Sequence, residues 1–195
     1  MKKLESSLLN MVLVLTGVAV MMGGILAYVN HLTSDPISQQ KEKALTDGIK
    51  AVMRADVTPT STDTIPAEDG KNVYIVYNNE KGAAVQSTTM GFGGDLKVLV
   101  GFDKDGNILG YTLLEHAETP GLGAKADKWF QEGGKGSIIG KTPGEKPFGV
   151  SKDKKGEEQP IDAITASTIT SRAFLLAVNN AYKTYMKTSA NADTK

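Results

Sequence analysis

Two stretches of the 195-residue chain concentrate side chains that could do chemistry. The first is Glu115-His116-Ala117-Glu118-Thr119-Pro120-Gly121-Leu122-Gly123-Ala124-Lys125, which leaves a run of β character and enters a helical one. Pro120 and the two glycines predict a tight turn whose backbone N–H groups face whatever lies over the helix start, a cradle for a ligand. Glu118 and His116 could instead pair as base and acid. A metal role for His116 is disfavoured, because the only other histidine is His31, beside the N-terminal apolar run. The second stretch is Asp162-Ala163-Ile164-Thr165-Ala166-Ser167-Thr168-Ile169-Thr170-Ser171-Arg172, which opens an apolar-periodic helix. Capping by Asp162, Thr165 or Ser167 is its plainest use. Yet Thr165, Ser167, Thr168 and Thr170 are more hydroxyls than one cap requires, and a helix start flanked by small residues suits a phosphate through its dipole and free amides. Cap and anion site both stand on these residues alone. A hydrolase using Ser167 or Thr168 with His116 or Glu118 as base is the weakest reading, since neither a nucleophile elbow nor a triad order is present.

The elements that must carry these stretches begin with an anchor. From Ser6 to Ser34 there is no Asp, Glu, Lys or Arg, and Leu8 to Val29 is apolar apart from Asn10, Thr16 and a few glycines. At ~1.5 Å per residue this run reaches about 33 Å, enough to cross the ~30 Å hydrocarbon core of a lipid bilayer, so residues 8–29 are read as a transmembrane helix. Lys2 and Lys3 precede it and the first charge after it is Asp35, which places residues 1–7 in the cytoplasm and the rest of the chain outside. A cleaved signal peptide would have a shorter apolar region and a clear small-x-small cleavage site. Gly17, Gly23, Gly24 and Ala27 would let a second helix approach closely.

Beyond the span, Asp35 and Pro36 read as the start of a separate helix that runs to Met53, so residues 30–56 form a helical connector. Residues 57–70 read as a loop, Val73–Tyr77 and Lys97–Phe102 as strands, and Asp103-Lys104-Asp105-Gly106-Asn107 as a hairpin turn. Met90-Gly91-Phe92-Gly93-Gly94 interrupts the strand pattern as a bulge or a place of close backbone approach to a ligand. Ala124–Gln131 reads as a short helix, 133–159 as loop or short edge strands, Ile169–Lys187 as a long helix, and 189–195 as a flexible tail. Residues 57–188 thus make one α+β domain, an antiparallel sheet with flanking helices.

Composition narrows the function classes. With 22 basic and 22 acidic residues the net charge is zero, and Arg54 and Arg172 are the only arginines, which argues against nucleic acid as a partner. The absence of cysteine removes disulfides, thiolate metal sites, iron–sulfur ligation and Cys nucleophiles, so redox chemistry would need another cofactor.

The His116-x-Glu118-Thr119-Pro120-Gly121-Leu122-Gly123 and Asp162-x-x-Thr165-Ala166-Ser167-Thr168-x-Thr170 segments, in that order behind an N-terminal anchor, resemble the FMN-binding domain family. That family occurs in the G subunit of the Rnf electron-transport complex and the C subunit of the sodium-pumping NADH:quinone oxidoreductase. The resemblance implies FMN esterified through its phosphate to the last threonine of a D-x-x-[ST]-G-A-T pattern, here Thr168, by a flavin transferase that uses FAD. Ala166 and Ser167 stand where the common form has Gly and Ala. It further implies cofactor contacts from Thr165, Ser167, Thr170, His116, Glu118, Thr119, Leu122 and Gly123. The short length favours the Rnf G subunit, an electron carrier that works with the other membrane and redox subunits of a complex in the bacterial inner membrane. That complex passes electrons between ferredoxin and NAD while moving Na⁺ or H⁺.

Overall fold

The computed structural model describes residues 8–56, 58–67, 73–153, 156 and 158–192. The chain divides into two compact units, one ending at Lys43 and one beginning at Ala44.

The first unit holds most of helix α1 (Leu8–Met53), which is apolar and long enough to cross a membrane, with the side chains of its apolar run exposed. The sequence suggests a new helix at Asp35-Pro36, but α1 continues through Pro36 without ending. Proline removes the N–H that would bond the Leu32 carbonyl and crowds that turn. Hydroxyls bridge the turns around it: Thr33 Oγ1 donates to the Val29 carbonyl (2.9 Å), Ser34 Oγ to His31 (3.1 Å) and Ser38 Oγ to Ser34 (3.0 Å). These bonds run to carbonyls of the preceding turn, a use of Ser and Thr compatible with a continuing helix.

The second unit is built on a five-stranded antiparallel meander, β1 (Ser61–Pro66), β2 (Val73–Asn79), β3 (Gly82–Met90), β4 (Asp95–Asp103) and β5 (Ile108–Glu115), in that spatial order. After β5 come a 3₁₀ turn (Gly123–Lys125), helix α2 (Ala126–Trp129) and a small parallel pair, β6 (Phe148–Val150) and β7 (Gln159–Ile161). Helix α3 (Thr168–Ala192) closes the chain.

Alternation along the strands sends side chains to two buried layers. Ile49, Val52 and Met53 at the end of α1 pack with Tyr77, Ala84 and Leu99 on one face. On the other, Phe174, Ala177, Val178 and Ala181 of α3 meet Val85, Val98, Val100 and Phe102. Gly101 and Gly110 sit opposite each other on β4 and β5. A Cβ on Gly101 would lie 2.5 Å from the Val52 carbonyl oxygen and one on Gly110 3.0 Å from it, so this glycine pair lets the end of α1 rest directly on the sheet. On the α3 side, Phe130 stacks on Phe174 at 4.3 Å and Thr89 Oγ1 donates to the Ala173 carbonyl (2.9 Å), fixing the helix against β3.

The α+β architecture expected from the sequence is present, with four local corrections. Residues 61–66, expected as loop, form the edge strand β1; its Ser, Thr and Asp side chains are exposed and Pro66 ends it, chemistry that an edge tolerates. Val57 and residues 68–70 of the same expected loop lie outside the described residues. Strand β3 does not stand out in the sequence, because Gly82, Ala83, Ala84, Gln86 and Ser87 lack strong β character. The Met90–Gly94 stretch is the β3–β4 hairpin loop, closed by a Gly91 N–H to Gly94 carbonyl bond (2.8 Å), not a bulge. Finally, α3 continues through Thr188 to Ala192 in place of the expected tail, and 193–195 lie outside the described residues.

Candidate functional site

The site is built around one buried carboxylate. Glu118 is 5% exposed, and its two oxygens bond in different directions. Oε1 accepts from the Phe92 backbone N–H (2.7 Å) in the β3–β4 loop, and Oε2 accepts from Thr170 Oγ1 (2.7 Å) in the first turn of α3. The carboxylate thereby ties three segments that are far apart in sequence. Its surroundings require glycine twice. A Cβ on Gly123 would lie 2.5 Å from Oε2 and 2.8 Å from Thr170 Oγ1, and a Cβ on Gly91 would collide with Oε1. Gly93 makes the same close approach to the Ala117 carbonyl. The backbone approach that the sequence suggests at Met90–Gly94 is therefore made by the 117–118 segment.

The α3 side begins with a turn in which Ser167 N–H donates to the Ile164 carbonyl (3.0 Å). Ala166 occupies the left-handed region of this turn, at φ 61°, a conformation that costs a residue with a Cβ. Ser171 secures the turn: its Oγ accepts from Ile164 N–H (3.0 Å) and donates to the Ser167 carbonyl (2.9 Å). The first helical bond is Ser171 N–H to the Ser167 carbonyl (3.0 Å), which puts Ser167 at the N-cap position and leaves the amides of Thr168, Ile169 and Thr170 without intrahelical acceptors. Asp162 does not cap; its carboxylate accepts from Ser151 Oγ (2.9 Å). Among the described residues no protein group hydrogen-bonds the Thr168 hydroxyl.

Between these walls lies a cavity of about 370 Å³. Glu118, Thr119, Leu122 and Gly123 line one side, residues 166–170 the other, and Phe92 the rim. Of the residues singled out by sequence, Thr168, Ser167, Thr170, Glu118, Thr119, Leu122 and Gly123 converge here. His116 and Thr165 do not line it: His116 Nδ1 accepts from the Glu118 backbone N–H (3.3 Å), bracing the loop, and Thr165 is exposed in the turn. Sequence reasoning misses Phe92, Ala166 and Ile169. A phenylalanine set between glycines is the available signal for Phe92. A larger cleft of about 550 Å³, with Lys125, Lys128, Trp129 and Lys135 in its lining, opens along the same Gly121–Lys125 turn but holds none of the hydroxyls of α3.

The cavity suits a phosphorylated aromatic ligand. Free amides and a hydroxyl at a helix start face the anionic end. Phe92, Leu122 and Ile169 are 66%, 42% and 54% exposed and offer apolar surface to a flat ring.

Residues 91–183, which contain both segments, match the FMN-binding domain family. The G subunit of the Na⁺-translocating ferredoxin:NAD⁺ oxidoreductase complex of Acetobacterium woodii is 32% identical over 184 residues, 84% of either chain. The chain belongs to this G-subunit family. The G subunit of an ion-translocating oxidoreductase complex from Yersinia pestis is also 32% identical, over 81% of this chain and 80% of its own. Among solved structures, the C subunit of a Na⁺-translocating NADH-quinone reductase from Parabacteroides distasonis superposes with a TM-score of 0.54, covering 77% of this chain and 94% of that one. At 19% identity that likeness speaks for the shared fold. Family membership and cavity agree on the cofactor class, since the matched residues hold both walls of the site and its Phe92 rim.

Proposed function

We propose that this chain is the electron-carrying flavoprotein subunit of a membrane-bound, ion-translocating ferredoxin:NAD oxidoreductase, with FMN joined through its phosphate to the Thr168 hydroxyl. The observation that carries the reading is the place of that hydroxyl: it opens α3, lines the cavity and makes no bond to the protein among the described residues. A flavin transferase drawing on FAD would make the ester. The bound flavin would supply reversible uptake and release of electrons.

The chain's own residues then have distinct tasks. The amides of residues 168–170 and the dipole of α3 stabilise the phosphoryl charge. Phe92, Leu122 and Ile169 would give the ring an apolar surface to pack against. Glu118 ties the β3–β4 loop to the first turn of α3 across one wall of the cavity. Residues 8–29 anchor the protein beside the membrane subunits it serves, with the N-terminus cytoplasmic and the domain on the outer side. The 32% identity to G-subunit sequences, one of them from a ferredoxin:NAD⁺ oxidoreductase complex, supports the ferredoxin:NAD assignment.

Co-expression with a flavin transferase should give a protein band whose flavin fluorescence survives denaturing electrophoresis. Thr168→Ala should lose that band completely while remaining folded. A fluorescent Thr168→Ala band would place the attachment elsewhere.

A further inference from the structure

We propose that the charge of Glu118 holds down the midpoint potential of the flavin in this cavity; the inference rests on the flavin lying there as proposed above.

Glu118 is the charged side chain that lines the cavity, and it is almost fully buried. Among the described residues it has no Lys, Arg or His ion-pair partner; its supports are the Phe92 N–H and the Thr170 hydroxyl, both neutral donors. Each carboxylate oxygen meets one neutral donor and, among the described residues, no cation. Its negative charge is thus shielded by local dipoles and by the start of α3, not cancelled. In a region where water is scarce, such a charge acts on its neighbours more strongly than the same charge at the surface. Electron uptake by a ring in the cavity adds negative charge beside Glu118 by as much as the electrons outnumber the protons taken up with them. Repulsion disfavours the reduced state relative to the oxidised one, so the potential lies lower than it would without the carboxylate.

The geometry also provides a clean way to remove the charge. In Glu118→Gln the amide oxygen can face the Phe92 N–H, which can only donate, and the amide nitrogen can face Thr170. The Thr170 hydroxyl is able to reverse its role and accept. Both hydrogen bonds survive in that arrangement, and the shape next to Gly91 and Gly123 is unchanged. The substitution therefore separates charge from structure, which truncation to alanine would not do.

The experiment is a redox titration of the full-length protein matured with a flavin transferase, alongside its intact mass and thermal midpoint. Glu118→Gln should keep the covalent mass increase and the thermal midpoint, and its potential should move upward. An unchanged or lowered potential with flavin attached would overturn the charge effect and leave the attachment reading intact. Should Glu118→Gln fail to take flavin, Thr170→Val decides: it strips one of the two donors of the carboxylate and thereby changes the charge felt in the cavity, so the potential should move, and an unmoved potential would overturn the proposal. Wild-type protein that carries no covalent flavin under these conditions would overturn the attachment reading, and this inference with it.

Discussion

Ala166 is the residue at which the chain departs from the form its site geometry prefers. Its φ of 61° lies in a region that glycine enters freely and that other residues enter at a cost. The turn from Ile164 to Ser167 needs that conformation to deliver Thr168 to the first turn of α3. Ala166→Gly relieves the strain but gives the unfolded chain more freedom, and these effects partly cancel. The expected outcome is a net stabilisation of roughly 0.5–1 kcal/mol in chemical denaturation. A destabilisation of similar size would mean that the alanine methyl makes packing contacts worth more than the backbone strain. This feature is half legible in the sequence: the alanine stands out against the glycine of the resembling motif, but only the backbone shows why glycine suits the position. Glu118 is legible as a polar residue near a tight turn. Its bonds to Phe92 and Thr170 are not, because they join positions 26 and 52 residues away.

At the scale of elements, the wall of the site is held by Tyr111 on β5. Its hydroxyl donates to the Ala126 carbonyl (2.6 Å) and accepts from Phe130 N–H (3.2 Å), which pins α2 and the turn before it to the sheet. Burial pushes the Tyr111 phenol well above its ordinary range, opposed by the Phe130 bond and helped by a small further push from Asp127. Burial raises Tyr77 and Tyr185 in the same direction. A phenol whose folded pKa exceeds its unfolded value, ordinarily near ~10, contributes fully below that pH. As pH climbs past it, the unfolded chain ionises first and the stability is lost. Tyr111→Phe should cost about 1–2 kcal/mol at neutral pH through its two hydrogen bonds. It should also make the decline in stability above about pH 10 shallower, as read from denaturation midpoints across pH. An unchanged alkaline slope would rule out Tyr111 as a source of that decline. Periodicity identifies the elements with strong patterns, the end of α1, β4 and α3. It misses β1, whose strand character comes from pairing with β2, and β3, which is paired on both sides and covered by α3, information carried by no local window. Pro36 misleads for the opposite reason. It is a strong local signal for a helix boundary, yet α1 continues through it.

For the molecule as a whole, a helix long and apolar enough to cross a membrane lies at one end and the proposed attachment point, at the start of α3, near the other. The absence of cysteine makes the orientation simple to test, since any introduced thiol is unique. A cysteine replacing Lys104, in the exposed β4–β5 turn, should react with a membrane-impermeant maleimide applied to intact cells or to spheroplasts if an outer membrane blocks access. One replacing Lys3 should react only after the membrane is permeabilised. The reverse pattern would invert the topology. The central claim is the ester at Thr168, and peptide mass spectrometry of protein matured with a flavin transferase tests it most directly. The peptide containing Thr168 should gain the mass of FMN less one water, with fragmentation placing the addition on Thr168; an unmodified Thr168 in that protein, or the addition on another residue, would contradict the claim.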